Sequence, residues 1–251
     1  MTRALYVLCF LLAACQMNRG LADAGEPDAG PFDLAGSAQV FPLAAAWMAS
    51  QGQPAFGFQG LQLRLEDPFV VARHPDASVI AEYALGADGT FAFTALDGPT
   101  AIGVGAVLSD PSAAPPAVDC ENLLIEGKPR TVVDATAWAL PAAFMHALED
   151  GLDDFDLPSK GFLLGQVLAA SGTPVSSASV AGVDLDNTRV LYLDRLLKPI
   201  PQAIATDATG AFLVKGPVDL MNFSVANQTE FGQHKALAVP GRGFLLVFRS
   251  P

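Results

Sequence analysis

Gly161-Phe162-Leu163-Leu164-Gly165-Gln166-Val167-Leu168 runs directly into Ala169-Ala170-Ser171-Gly172-Thr173-Pro174-Val175. Further on stands Thr206-Asp207-Ala208-Thr209-Gly210-Ala211-Phe212-Leu213-Val214. The first stretch is an apolar run closed by small residues, glycine and proline, the usual punctuation of a turn. Residues 210–214 follow a polar turn, as the second arm of a hairpin does. Phe244-Leu245-Leu246-Val247-Phe248 is apolar at every position, which suits a central strand covered on both faces. Short strands at these intervals, separated by Gly and Pro, predict a β-sandwich or small barrel.

The same signals occur earlier in the chain. Ala49-Ser50-Gln51-Gly52-Gln53-Pro54 echoes Ala170-Ser171-Gly172-Thr173-Pro174-Val175, each with Gly-x-Pro after an apolar stretch. Ala87-Asp88-Gly89-Thr90-Phe91-Ala92-Phe93 echoes residues 207–214, and Gly52 stands nearly as far from Gly89 as Gly172 from Gly210. A third echo pairs residues 126–133 with residues 240–247. Three matches in one order at one spacing predict two related domains.

Residues 161–251 resemble a carboxypeptidase regulatory-like domain. The pattern is carried by Gly165-Gln166-Val167, by Gly172-Thr173-Pro174-Val175 with Ser179-Val180, and by Thr206-Asp207-Ala208-Thr209-Gly210-Ala211-Phe212. Residues 40–133 fit more loosely, with Gln59-Gly60-Leu61-Gln62-Leu63 standing in for the second strand. The resemblance implies an immunoglobulin-like or transthyretin-like sandwich of about seven strands. Its motif residues make turns and plant an aromatic side chain in the core, so it carries no catalytic residue across.

Residues 140–152 break the β pattern. Leu140, Phe144, Leu148 and Leu152 recur on one helical face, Pro141 suits the first helical position, and Gly151 suits the position past the end. The expected class is all-β: two tandem immunoglobulin-like or transthyretin-like sandwiches, residues 39–157 and 158–251, with this one short helix between them. Its Phe144 and Leu148 face is expected to pack on one of the sandwiches.

The chain opens with Met1-Thr2-Arg3, an apolar run over residues 4–14, and Cys15. A run this short does not span a hydrocarbon core, which takes about 20 residues. A charged start, a short apolar middle and small residues at the end make a secretory signal peptide, residues 1–14. Leu12-Ala13-Ala14-Cys15 resembles the lipobox of bacterial lipoproteins, in which the Cys thiol carries the lipid. The resemblance implies a membrane anchor at Cys15. Gln16, rather than Asp, follows the Cys and points to the outer membrane. Residues 15–38 repeat Asp-Ala-Gly among prolines and read as a flexible acidic tether.

With 14 basic and 26 acidic residues the formal net charge is −12, which argues against nucleic-acid binding. A composition that is 51% apolar and 16% charged supports a large core without disulfides. Of the three cysteines, Cys9 leaves with the signal peptide and Cys15 takes the lipid. Cys120 is left alone, a reactive thiol or, more commonly, a buried apolar one.

Enzyme signatures are missing: no Gly-x-Ser-x-Gly, no His-Glu-x-x-His, no phosphate loop and no Cys pair at metal spacing. His74, His146 and His234 lie in separate segments. The acidic run Glu149-Asp150-Gly151-Leu152-Asp153-Asp154-Phe155-Asp156 is the leading functional candidate. It reads either as a solvated linker or as a loop for Ca2+, which takes about six to eight oxygens. It falls where the helix dipole disfavours negative charge. Asp184-Leu185-Asp186-Asn187 is a weaker candidate and reads as a turn. Two Trp and three Tyr against sixteen Phe give little encouragement to stacking on sugars.

These readings lead to a non-enzymatic, envelope-anchored lipoprotein acting as a binding or structural module, without a cofactor, metal or catalytic residue. Its partner is an unassigned protein or glycan. An accessory subunit of an envelope enzyme or transport complex is the alternative. A hydrolase would require His146 beside a carboxylate and a nucleophile in a cleft between the domains.

Overall fold

The computed structural model describes residues 30–74, 78–97, 102–110, 112, 116–127, 131–183, 185–186 and 189–251. Strand β1 (Phe32–Val40) is followed by α1 (Pro42–Ser50), β2 (Gln62–Glu66), the short α2 (Pro68–Val71), β3 (Val79–Ala84) and β4 (Thr90–Leu96). Then come β5 (Gly103–Ser109), β6 (Ala117–Val118), β7 (Cys120–Glu126) and β8 (Val132–Pro141). Helices α3 (Ala142–Leu152) and α4 (Leu157–Lys160) lead into β9 (Phe162–Leu168), β10 (Val180–Gly182), β11 (Val190–Tyr192) and β12 (Ala211–Lys215). The chain ends through β13 (Val218–Val225), β14 (Gln233–Ala238) and β15 (Gly243–Arg249). It is an all-β architecture with a few short helices.

Three sheets form two sandwiches. One sheet has the order β4-β1-β8-β6, another β10-β13-β14, and the third β11-β12-β9-β15-β7-β5-β2-β3. The eight-stranded sheet runs through both sandwiches. Its β3-β2-β5-β7 half packs on the four-stranded sheet, enclosing Leu34, Leu63, Leu65, Phe91, Val104 and Leu108. Its β11-β12-β9-β15 half packs on the three-stranded sheet, enclosing Leu163, Val167, Phe212, Phe223, Phe244 and Phe248.

The two halves share a pairing pattern. In the first half, β1 lies between β4, to which it is antiparallel, and β8, to which it is parallel. In the second half, β9 lies between antiparallel β12 and parallel β15. Two of the three sequence echoes fall on equivalent strands: residues 87–93 lead into β4 as 207–214 lead into β12, and residues 126–133 reach β8 as 240–247 enter β15. The remaining echo does not. The apolar stretch before Gly52 is helix α1, whereas the one before Gly172 is strand β9. Pro42 at the start of α1, followed by three alanines, favours a helix over a strand there.

The expected tether, residues 15–38, is too long at its C-terminal end. Strand β1 already begins at Phe32, and Phe32, Leu34 and Ala38 are buried in the first core. Residues 15–29, including Cys15, lie outside the described residues.

Phe244, Leu246 and Phe248 point into the second core, while Leu245 and Val247 point to the opposite face, so β15 is covered on both sides as its sequence requires. That opposite face is capped by α1 and α3. Phe144, Met145, Leu148 and Leu152 of α3 pack on Phe162, Leu164, Leu213 and Leu245, and the Trp47 and Phe144 rings meet edge-on at 5.7 Å. The helix starts one residue later than expected, with Pro141 as N-cap. It also runs past Gly151, whose Cα approaches Leu197 so closely that a Cβ would lie 2.7 Å from its carbonyl oxygen. Asp153, at φ 51°, takes the left-handed closing position instead.

The cleft at the junction of the two sandwiches

The two sandwiches meet where β15 joins β7 in parallel. Only Gly243↔Cys120 and Phe244↔Glu121 are paired. Gly243 donates its N–H to the Asp119 carbonyl at 3.1 Å, and its missing side chain makes the approach feasible: a Cβ there would lie 2.8 Å from Cys120 Sγ. Beyond Phe244 the two strands separate. β15 continues along β9 to Arg249, while β7 continues along β5 to Glu126, with an irregularity opposite Val104 and Gly105. A wedge-shaped cleft of about 450 Å3 opens between them, a volume in the range of small-ligand sites.

One wall of the cleft is apolar and belongs to the side of the four-stranded sheet. Leu124, Val132, Trp138, Leu245 and Val247 line it. The backbone that carries Trp138 is fixed there because the Trp138 main-chain N–H donates to Asn122 Oδ1 at 3.0 Å, while Asn122 Nδ2 donates to the Thr136 carbonyl at 3.0 Å. The other wall is the polar stretch Gln233-His234-Lys235 at the start of β14. His234 Nδ1 lies 2.8 Å from Glu126 Oε1 and spans from one sandwich to the other. The hydrogen bond and charge of Glu126 raise the His234 pKa, against the opposing effect of partial burial. The His234 ring also meets Phe248 edge-on at 5.2 Å.

A buried charged cluster lies at the same junction. Glu66 on β2, fully buried, pairs with Arg64 on one side and with Arg242, next to β15, on the other. Glu121 on β7 is 1% exposed, and its Oε1 has no hydrogen-bond partner. Burial, reinforced by the charge of Glu66, pushes the Glu121 carboxyl up to about 8, so it is neutral at pH 7. Asp119 is raised by burial as well, despite Arg64 and Arg242 nearby. Burial pushes the neighbouring Cys120 thiol far up, which makes Cys120 the inert apolar kind rather than a nucleophile.

The sequence candidates are dispersed. His74 is exposed beyond α2. His146 stands on the outer face of α3, 78% exposed, with Nδ1 3.6 Å from Glu149 Oε2. Of the three histidines only His234 reaches the cleft, and no Ser, Thr or Cys is among the lining residues. The hydrolase geometry built on His146 is therefore not assembled. Asp184 and Asn187 lie outside the described residues, and Leu185 between them is buried in the second core.

The acidic run is occupied by its own neighbours. Asp154 is 2.8 Å from both Lys160 and Lys215. Glu149 Oε1 accepts the Leu157 N–H at 3.4 Å, and Asp156 accepts from the Ser159 hydroxyl. Among the described residues, no group of three or more His, Cys, Asp or Glu is arranged to hold a metal ion. No helix among them is long and apolar enough to cross a membrane.

What sequence reasoning missed is the pairing of Glu126 with His234 and of Glu66 with Arg242. The members of these pairs lie in different sandwiches, and no local spacing links them. The one available signal was the polar stretch Gln233-His234-Lys235 at the start of an otherwise apolar strand.

No family model matches the chain, and no curated protein is similar to it. Among solved structures, it is similar to a streptococcal ancillary pilin at 10% identity, covering 87% of this chain and 68% of that one, with a TM-score of 0.26. It is also similar to the Bacillus anthracis TIE protein (11% identity, 88% of this chain and 33% of that one, TM-score 0.25). A third similarity is to the shaft pilin SpaA of Lactobacillus rhamnosus GG (9% identity, 88% and 98%, TM-score 0.25). Superposition and identity this low transfer no role to this chain.

Proposed function

We propose that this chain is a non-enzymatic, envelope-anchored lipoprotein whose two joined sandwiches act as a binding module. The observation that supports the binding role is the cleft at their junction. It places an apolar wall around Trp138 opposite a polar wall around His234, at a seam stiffened by a shared sheet. The lipid anchor rests on Leu12-Ala13-Ala14-Cys15, and the acidic segment behind it holds the folded part off the bilayer.

The test is metabolic labelling with an alkyne fatty acid, followed by envelope fractionation. The wild-type chain is expected to carry label and sediment with outer membranes. Cys15→Ser is expected to be unlabelled and released into the soluble fraction. An unlabelled wild-type chain overturns the anchor. A pull-down from detergent-solubilised membranes separates the two roles: an accessory subunit brings down one stoichiometric enzyme or transport partner, whereas a free-standing module does not.

A further inference from the structure

We propose that the junction cleft binds an extended segment of a partner protein, which adds as a strand to the free edge of β15. This rests on the binding-module reading and names its ligand class. The carrying observation is the pairing itself. β15 keeps its partner β9 from Gly243 to Arg249, but on its other edge pairing with β7 stops at Phe244. Gly243 points its N–H across the seam, and main-chain groups alternate between edges along a strand, so Leu245, Val247 and Arg249 point to the same side. Past the last pair, the main chain of Val247 faces the cleft and that of Arg249 continues the same edge, with no strand opposite either among the described residues. β7 likewise pairs beyond Glu121 only with β5. Unpaired strand edges call for hydrogen-bonding partners, and an inserted strand supplies them along its whole length.

The walls specify the side chains of that strand. Successive residues of an extended chain point to opposite faces. One set would meet Leu124, Val132, Trp138 and Val247, and the other would meet His234, whose side chain turns inward to Phe248 and Glu126. The fitting segment therefore alternates apolar residues with polar ones, the polar ones placed against the His234–Glu126 pair. Main-chain pairing would supply affinity, and the alternation would supply specificity.

The experiment pans a random dodecapeptide library on the purified full chain and measures binding of the synthetic consensus by fluorescence anisotropy. The expected consensus alternates apolar and polar positions. N-methylation of alternate peptide amides abolishes binding, because it removes the main-chain donors. Hydrogen exchange at Val247 and Arg249 slows in the complex. His234→Ala weakens binding about tenfold, as loss of the polar contact on that wall does. Gln233→Trp, at an exposed rim position, blocks the cleft while leaving the melting temperature unchanged. The proposal is overturned if no peptide is enriched, or if enriched peptides tolerate N-methylation and both variants. A glycan array that yields a ligand displaced by Gln233→Trp also overturns it. If a partner is retrieved from membranes equally well by Gln233→Trp, the binding module stands and strand addition is wrong. If neither peptide nor partner is retained, the module reading itself fails.

Discussion

Gly105 on β5 lies beneath the carboxyl of Glu121 on β7, so that a Cβ added to Gly105 would sit 2.3 Å from Glu121 Oε1. Glu121 is enclosed, and its Oε1 has no hydrogen-bond partner. Gly105→Ala therefore forces either the carboxyl or the β5–β7 pair to shift. Overpacking of this kind costs about 1–3 kcal/mol. The expected outcome is a melting temperature lowered by several degrees in a thermal scan. An unchanged value would show that Glu121 has room to move.

Glu121 also makes stability depend on pH. Its carboxyl is raised from 4.5 to about 8 in the folded chain. Between those values the unfolded chain is ionised and the folded chain still holds the proton, so stability falls as pH rises and levels off above about 8. At about 1.4 kcal/mol per unit, the loss relative to acid conditions reaches about 3 kcal/mol at pH 7. Glu121→Gln removes this component. Urea titrations at pH 5, 7 and 9 are expected to show the variant gaining on the wild type as pH rises. A wild-type minus variant difference that stays constant across the three would sink the assignment.

The sequence revealed the class of fold because its signals were local. Gly172-Thr173-Pro174 and Asp207-Ala208-Thr209-Gly210 are turns written in consecutive residues, and Phe244 to Phe248 carries its double-sided burial in composition alone. Helix α3 was legible from Leu140, Phe144, Leu148 and Leu152, but its end was not. The contact of Gly151 with Leu197 and the left-handed Asp153 are tertiary facts. The joining of the sandwiches into one sheet was illegible, because it depends on Gly243 meeting Cys120 across nearly half of the chain length. The cleft follows from that seam, so it was illegible too.

His234 and Glu126 tie β14 to β7 across the mouth of the cleft. The pair raises the His234 pKa, so its stabilising contribution is complete below the ordinary value of about 6.5 and is lost as pH rises through the folded value. Both side chains are about one-third exposed, which keeps the contribution below about 1 kcal/mol. A double-mutant cycle with His234→Gln and Glu126→Gln is expected to give a coupling at pH 5.5 that is weaker at pH 9. Equal coupling at both pH values would mean that the contact is held by packing against Phe248 rather than by charge.

Asp154 decides between the two readings of the acidic segment. Lys160 and Lys215, each at 2.8 Å, hold its carboxyl down to about 2, and Lys215 belongs to β12 of the second sandwich. The negative charge that a helix C-terminus disfavours is thus met by two lysines of the same chain. A calcium ion would have to displace both of them from Asp154. Thermal melting in excess calcium and in chelator is expected to give the same midpoint. Asp154→Asn is expected to lower the midpoint at pH 7. That deficit should persist above the ordinary carboxylate pKa of 3.8 and shrink as pH falls towards about 2, where the wild-type carboxyl is itself neutralised. A calcium-dependent rise in midpoint that Asp154→Asn abolishes would restore the metal-binding reading.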